Sequence, residues 1–353
     1  MNVRVVRGVG TALIIFVLVQ LGALSLVAPF ESAGYRAVEN PSDPTNSLVY
    51  LGAILVVTAL MLAAFRYDFA RAVRGVILLS AALLSWYVFS VVVPDVPVRG
   101  LVVIACSLGV AVALLLYPEW YVIDAAGVLM GAGAAGLFGI SFGLLPAVVL
   151  LVALAVYDAV SVYGTEHMLD LAEGVLELNV PVVLVVPVAS GYSLLRGEGA
   201  SPDTLADRDA DAAPNGGAST AADGNGYDAD GPPTDSDGDE SEPEAEDDPE
   251  SEERDALFIG LGDAVMPTVM VASAASFSPA PTLGLPVAAL NLPALLAAVG
   301  TIAGLLVLLR NVLKGEAHAG LPLLNGGAVG GYLLGSVAAG VPLVSAVGLA
   351  PYL

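Results

Sequence analysis

A chain of 353 residues with 57% apolar residues, 13% charged residues and a mean hydropathy of +0.82 is not a soluble globule, in which about a quarter of residues would be charged. Its net charge of -23 is concentrated: 21 of the 35 acidic residues lie between Arg196 and Leu257, leaving 14 acidic and nine basic residues elsewhere. The balance excludes nucleic acid as a partner, while two histidines and a single cysteine leave no zinc spacing and no intrachain disulfide.

Apolar runs of about 20 residues, the length that crosses ~30 Å of hydrocarbon, recur along the chain. In lipid such runs must be helices, because period-2 barrel alternation is absent and open backbone groups find no partners. Nine spans are predicted, at about 10–29, 48–65, 76–93, 101–117, 121–141, 144–163, 257–278, 286–309 and 320–342. The first follows Arg4 and Arg7, but no small-x-small cleavage site follows it, so it reads as an anchor rather than a signal peptide. Cys106 falls within the fourth and reads as a small buried hydrophobe.

With the N-terminus in the cytoplasm, the inside loops carry Arg4, Arg7, Arg66, Arg71, Arg74, Arg196, Arg208, Arg254, Arg310 and Lys314, and the outside loops only Arg36 and Arg99. That asymmetry sets the expected orientation in the cell membrane: N-terminus and acidic loop cytoplasmic, C-terminus outside. The expected fold is therefore all-α and polytopic, nine helices in a six-plus-three arrangement. Three regions follow: 1–195 with six spans, 196–256 as a disordered acidic loop, and 257–353 with three spans. The core of the loop, 203–253, has almost no large apolar residue and cannot offset the entropy of ordering itself. An Asp/Glu-rich, Lys-poor segment of this kind suits a salt-rich cytoplasm.

Two carboxylates interrupt the apolar runs. Asp158 lies near the cytoplasmic end of span six, in Leu154-Ala155-Val156-Tyr157-Asp158-Ala159-Val160, and Asp263 near the start of span seven, in Gly260-Leu261-Gly262-Asp263. Each would cost ~2.5–3.5 kcal/mol at a helix centre. Antiparallel spans bring both to the same depth, where two close carboxyls cannot both ionise and share one proton. One can then act as general base on water while the other protonates a peptide carbonyl. That chemistry requires no metal and no cofactor. Gly260 and Gly262 are expected to serve close helix approach or unusual backbone angles.

Other polar residues read differently. Asp124, close behind Glu119 and Trp120, reads as interfacial, and His167 as part of the wet face of an amphipathic interfacial helix over 166–177. Val182–Val186, a β-branched run bounded by Pro181 and Pro187, and Leu257-Phe258-Ile259 before the second aspartate are short segments that favour extended chain. One or both are expected to offer a strand edge to an unwound substrate, with the Ile259 amide as a donor.

Taken together, Tyr157-Asp158 in the sixth span, a long cytoplasmic loop and Gly260-Leu261-Gly262-Asp263 in the seventh resemble the YD and GxGD signatures of the presenilin and signal peptide peptidase family. The chain looks like an archaeal member. The resemblance implies an intramembrane aspartyl protease that cleaves transmembrane segments of membrane proteins or signal peptides, with Asp158 and Asp263 catalytic and the lipid bilayer as its medium. The family's third signature, PAL, opens the ninth span. Here that position holds Ala319-Gly320-Leu321, followed by Pro322, so proline and alanine are replaced while leucine is kept; the literal Pro293-Ala294-Leu295 lies inside span eight and reads as coincidence. Two alternatives stay open. A prepilin-peptidase-like aspartyl protease also carries GxGD, usually followed by a basic residue where this chain has Ala264. A proton- or sodium-coupled transporter would use the same aspartates but usually shows repeats, which are not evident. Oligomeric state is left open.

Overall fold

The computed structural model describes residues 3–67, 69–164, 183–187, 194, 256–284, 290–314 and 319–352. The expected amphipathic helix with His167, and the acidic loop core 203–253, lie outside these residues. Helices α1 (Val3–Ser32), α2 (Thr45–Arg66), α3 (Ala70–Val92), α4 (Arg99–Leu116), α5 (Trp120–Ser141) and α6 (Leu144–Gly164) form the first part. Strands β1 (Val183–Pro187) and β2 (Ala256–Gly260) follow, then α7 (Leu261–Phe277), α8 (Leu292–Val312), α9 (Gly320–Ala338) and the short α10 (Leu343–Ala346).

Eight of these helices are long and apolar enough to cross a membrane, and α7, at 17 residues, is a shorter apolar helix. The seventh predicted span thus divides into a strand over its first residues and a helix from Leu261 onward. Hydropathy cannot separate these, because an apolar strand and an apolar helical turn read alike over four residues. The eighth begins later than expected, at Leu292, where the Asn291 side chain caps the helix by accepting the Ala294 N–H at 2.9 Å and donates to the Ala274 carbonyl of α7 at 2.8 Å.

Position in the bundle follows side-chain size. The buried face of α5 is almost entirely small, with Ala126, Gly127, Gly131, Ala132, Gly133, Ala135, Gly136 and Gly139. Small residues let helix backbones approach where lipid supplies no hydrophobic drive for association. Accordingly α1, α3 and α7 all pack against α5; a Cβ on Gly133 would stand 2.7 Å from Val88 of α3. By contrast α2, α3 and α4 expose Leu, Val and Ile along their outer faces, as a lipid-facing surface must. Cys106 lies on that surface of α4 and is exposed rather than buried; an apolar environment in a membrane does not require burial in protein.

The closest helix pair is α8 with α9. Gly300 and Gly304 face Gly327, Gly331 and Leu323 so tightly that a Cβ on Gly300, Gly327 or Gly331 would overlap a carbonyl oxygen of the other helix. This is small-xxx-small packing from both sides. Asn325 then ties α9 to α6, donating to the Leu151 carbonyl at 3.0 Å. The start of α9 is fixed by these two contacts, and it is there that the two aspartates meet.

Candidate active site

Four elements converge at one end of the bundle. Asp158 lies near the end of α6, Asp263 in the first turn of α7, Gly320 at the start of α9, and the β1–β2 pair immediately before α7. Asp158 is 6% exposed. Its Oδ2 accepts the backbone N–H of Leu321 at 3.0 Å, with the Gly320 amide beside it. Asp263 reaches the same turn from the other side: its Oδ2 lies 3.5 Å from the position a Cβ on Gly320 would occupy. The two carboxylates are close enough to interact directly through their charges. A Cβ at 320 would make ordinary van der Waals contact with the Asp263 carboxylate and with Leu308, so this turn borders Asp263 without requiring glycine.

Pro322 sits within the first turn of α9, where its missing N–H costs no intrahelical bond. The literal Pro293-Ala294-Leu295 lies elsewhere. Pro293 packs against Gly335, near the opposite end of α9, and takes no part in the cluster.

Gly260 and Gly262 differ from expectation. Neither has a positive φ, and neither sits at a helix–helix contact: a Cβ on Gly262 would meet nothing within 4 Å, and one on Gly260 only the Asp263 carboxylate at 3.5 Å. A side chain on Gly260 would stand beside the Asp263 carboxylate, whereas one on Gly262 would extend into open space. Tyr157 is exposed on α6 beside the buried Asp158, while Leu261 packs among Val265, Ile123 and Gly131, joining α7 to α5. Among the described residues, no group of three or more His, Cys, Asp or Glu is arranged to hold a metal ion.

The two short extended segments pair with each other. β1 and β2 are antiparallel, with Leu184 opposite Ile259 and Val185 opposite Phe258. In an antiparallel ladder, alternate pairs turn their backbone groups toward or away from the partner strand. Val185 directs its N–H away, to Oδ1 of Asp124 at 2.8 Å. Hence Phe258 directs its own N–H and C=O outward from β2, and Ile259 faces β1. The expected donor at Ile259 is therefore used within the sheet, and the outward donor is Phe258.

Asp124 is where sequence reasoning fell short. It is 7% exposed, and its partner is a backbone amide 61 residues away. Glu119, one turn earlier, accepts the Leu194 N–H at 3.2 Å. Backbone partners leave no signature in sequence.

A helical membrane bundle bringing two aspartates together at one end has the arrangement of an aspartyl protease of the intramembrane kind, and comparison with known proteins shows that class. The sequence matches the family described as signal-peptide peptidase, presenilin aspartyl protease, over residues 13–341, and the chain belongs to that family. Two solved structures of a presenilin family intramembrane aspartate protease are similar to it. One, in space group C222, is 27% identical with a TM-score of 0.59, covering 94% of this chain and 99% of that one. The other, in space group P2, is 29% identical with a TM-score of 0.56, covering 92% and 96%. No curated protein matches the chain. The likeness spans both halves of the chain rather than one motif, which removes the ground for the prepilin-peptidase and transporter alternatives.

Proposed function

We propose that Asp158 and Asp263 are the catalytic pair of this intramembrane aspartyl protease and that its substrates are transmembrane segments of membrane proteins or signal peptides. The observation that carries the assignment is the bracketing of one helical turn by both carboxylates, Asp158 on the Leu321 amide and Asp263 against Gly320. With one proton between them, the ionised aspartate removes a proton from water as its oxygen attacks the scissile carbonyl carbon. The protonated aspartate gives its proton to the carbonyl oxygen, forming a tetrahedral diol. Collapse returns a proton to the amide nitrogen and breaks the C–N bond, leaving a carboxylic acid and an amine.

A helical substrate hides its carbonyls in intrahelical bonds and must unwind before attack. The outer edge of β2 suits that need: Phe258 turns its N–H and C=O away from β1, five residues before Asp263, and no described strand covers that edge. An added strand there replaces some of the backbone bonds the substrate gives up. The basic-residue asymmetry supports an active-site end facing the cytoplasm, with water entering from that side. The test is incubation of purified protein in lipid with a transmembrane peptide, with and without an aspartyl-protease transition-state analogue. Inhibited cleavage within the apolar segment supports the reading.

A further inference from the structure

Asp124 is a costly residue that the hydrolytic chemistry does not use. It lies one turn into α5, 7% exposed, in a helix whose other buried positions are small or apolar. Its Oδ1 accepts the N–H of Val185, the central residue of β1. That amide faces away from β2, so the hydrogen bond ties the β1 edge of the sheet to α5, against which β1 is buried. Leu194 is held by the same helix end, its amide donating to Glu119. From Val185 the register runs directly across to Phe258, and the chain reaches Asp263 five residues later. α5 also packs on α7, with Gly139 against Ala272 and Gly131 against Leu261 and Val265, so the helix that anchors the sheet also seats the helix carrying Asp263.

We propose that Asp124 is a positioning residue for peptide hydrolysis: by tying the β1 edge to α5 it fixes the β2 edge, where an incoming substrate strand would add, relative to Asp263. The inference rests on the strand-edge reading above. Its consequence is selectivity as well as rate, since a sheet that is free to shift presents neighbouring peptide bonds to the aspartates.

The test compares full-length wild type with Asp124→Asn, Asp124→Ala, Val185→Pro and Phe258→Pro, using one transmembrane peptide and mapping products by mass spectrometry. Asn keeps an acceptor oxygen, so its cleavage pattern should match wild type. Ala should lower kcat/KM by about tenfold or more, as small misplacements of a reacting group do, and spread cleavage over adjacent bonds. Val185→Pro removes the same hydrogen bond from the other side without touching the β1–β2 bonds. It should reproduce the Ala pattern, and it stands in if the Ala variant does not fold. A lesion that merely weakens the fold lowers the rate but leaves the sites unchanged. Unchanged sites in folded Asp124→Ala and Val185→Pro, with Phe258→Pro impaired, would overturn the inference alone. Equal damage from Asn and Ala would overturn it too, since charge rather than acceptance would then matter. Wild-type cleavage by Phe258→Pro would overturn the strand-edge reading beneath it.

Discussion

The Leu321 amide donates to Asp158 at 3.0 Å, beside the Gly320 amide, and both come from the segment where the family's proline and alanine are absent. A hydrogen bond to a charged group is worth ~1.5–3 kcal/mol, and each 1.36 kcal/mol is about tenfold in rate. Leu321→Pro removes the donor, together with a leucine side chain packed on the core, at a first-turn position that tolerates proline, and should lower kcat by about ten- to a hundredfold. Leu321→Ala keeps the amide and should cost much less. Steady-state kinetics on the two variants separates them, and equal activity of both would show the contact is idle. Asp158 and Asp263 were legible in the sequence because a carboxylate in an apolar run is conspicuous. Asp124 was equally conspicuous, but its purpose was not, because Val185 contributes only backbone. The glycines of Gly260-Leu261-Gly262-Asp263 were legible as a motif and misread as geometry: open space around a side chain, unlike a turn, has no conformational mark.

The α8–α9 pair determines where the first turn of α9 meets the aspartates. Gly327 and Gly331 face α8 with no room for a Cβ, whereas Gly326 and Gly330 on the same helix have nothing within 4 Å. Gly327→Ala or Gly331→Ala should therefore force the helices apart, costing about 1–3 kcal/mol as overpacking does and displacing Gly320 and Leu321. Gly326→Ala and Gly330→Ala should be neutral or slightly stabilising, since alanine is the better helix former. Thermal unfolding in detergent, read beside proteolysis, should separate the two pairs. Loss in all four would show the pairing is not the determinant. Eight membrane-length helices were readable from hydropathy in their order, while the seventh predicted span holds the shorter α7. The two strands were readable as extended segments, but neither their pairing with each other nor its phase was. That phase depends on which N–H meets Asp124, a tertiary fact.

At the scale of the molecule, the chain is a lipid-facing shell of α2, α3 and α4 around a small-residue centre on α5, with the site at one end. The composition of 203–253 predicts that this segment adds nothing to the bundle. Deleting it should leave cleavage within about twofold of wild type, since a segment that buries no apolar surface contributes little to the fold. A large loss on deletion would assign the segment a part in the active enzyme. The central claim is that two aspartates on facing helices share the hydrolysis, and the direct measurement is turnover of a transmembrane peptide by purified Asp158→Ala and Asp263→Ala. Both should be folded, as judged by unchanged helical circular dichroism and elution volume. Each should lose essentially all cleavage, because neither carboxyl can serve as acid and base together. Turnover comparable to wild type by either folded variant would contradict the account.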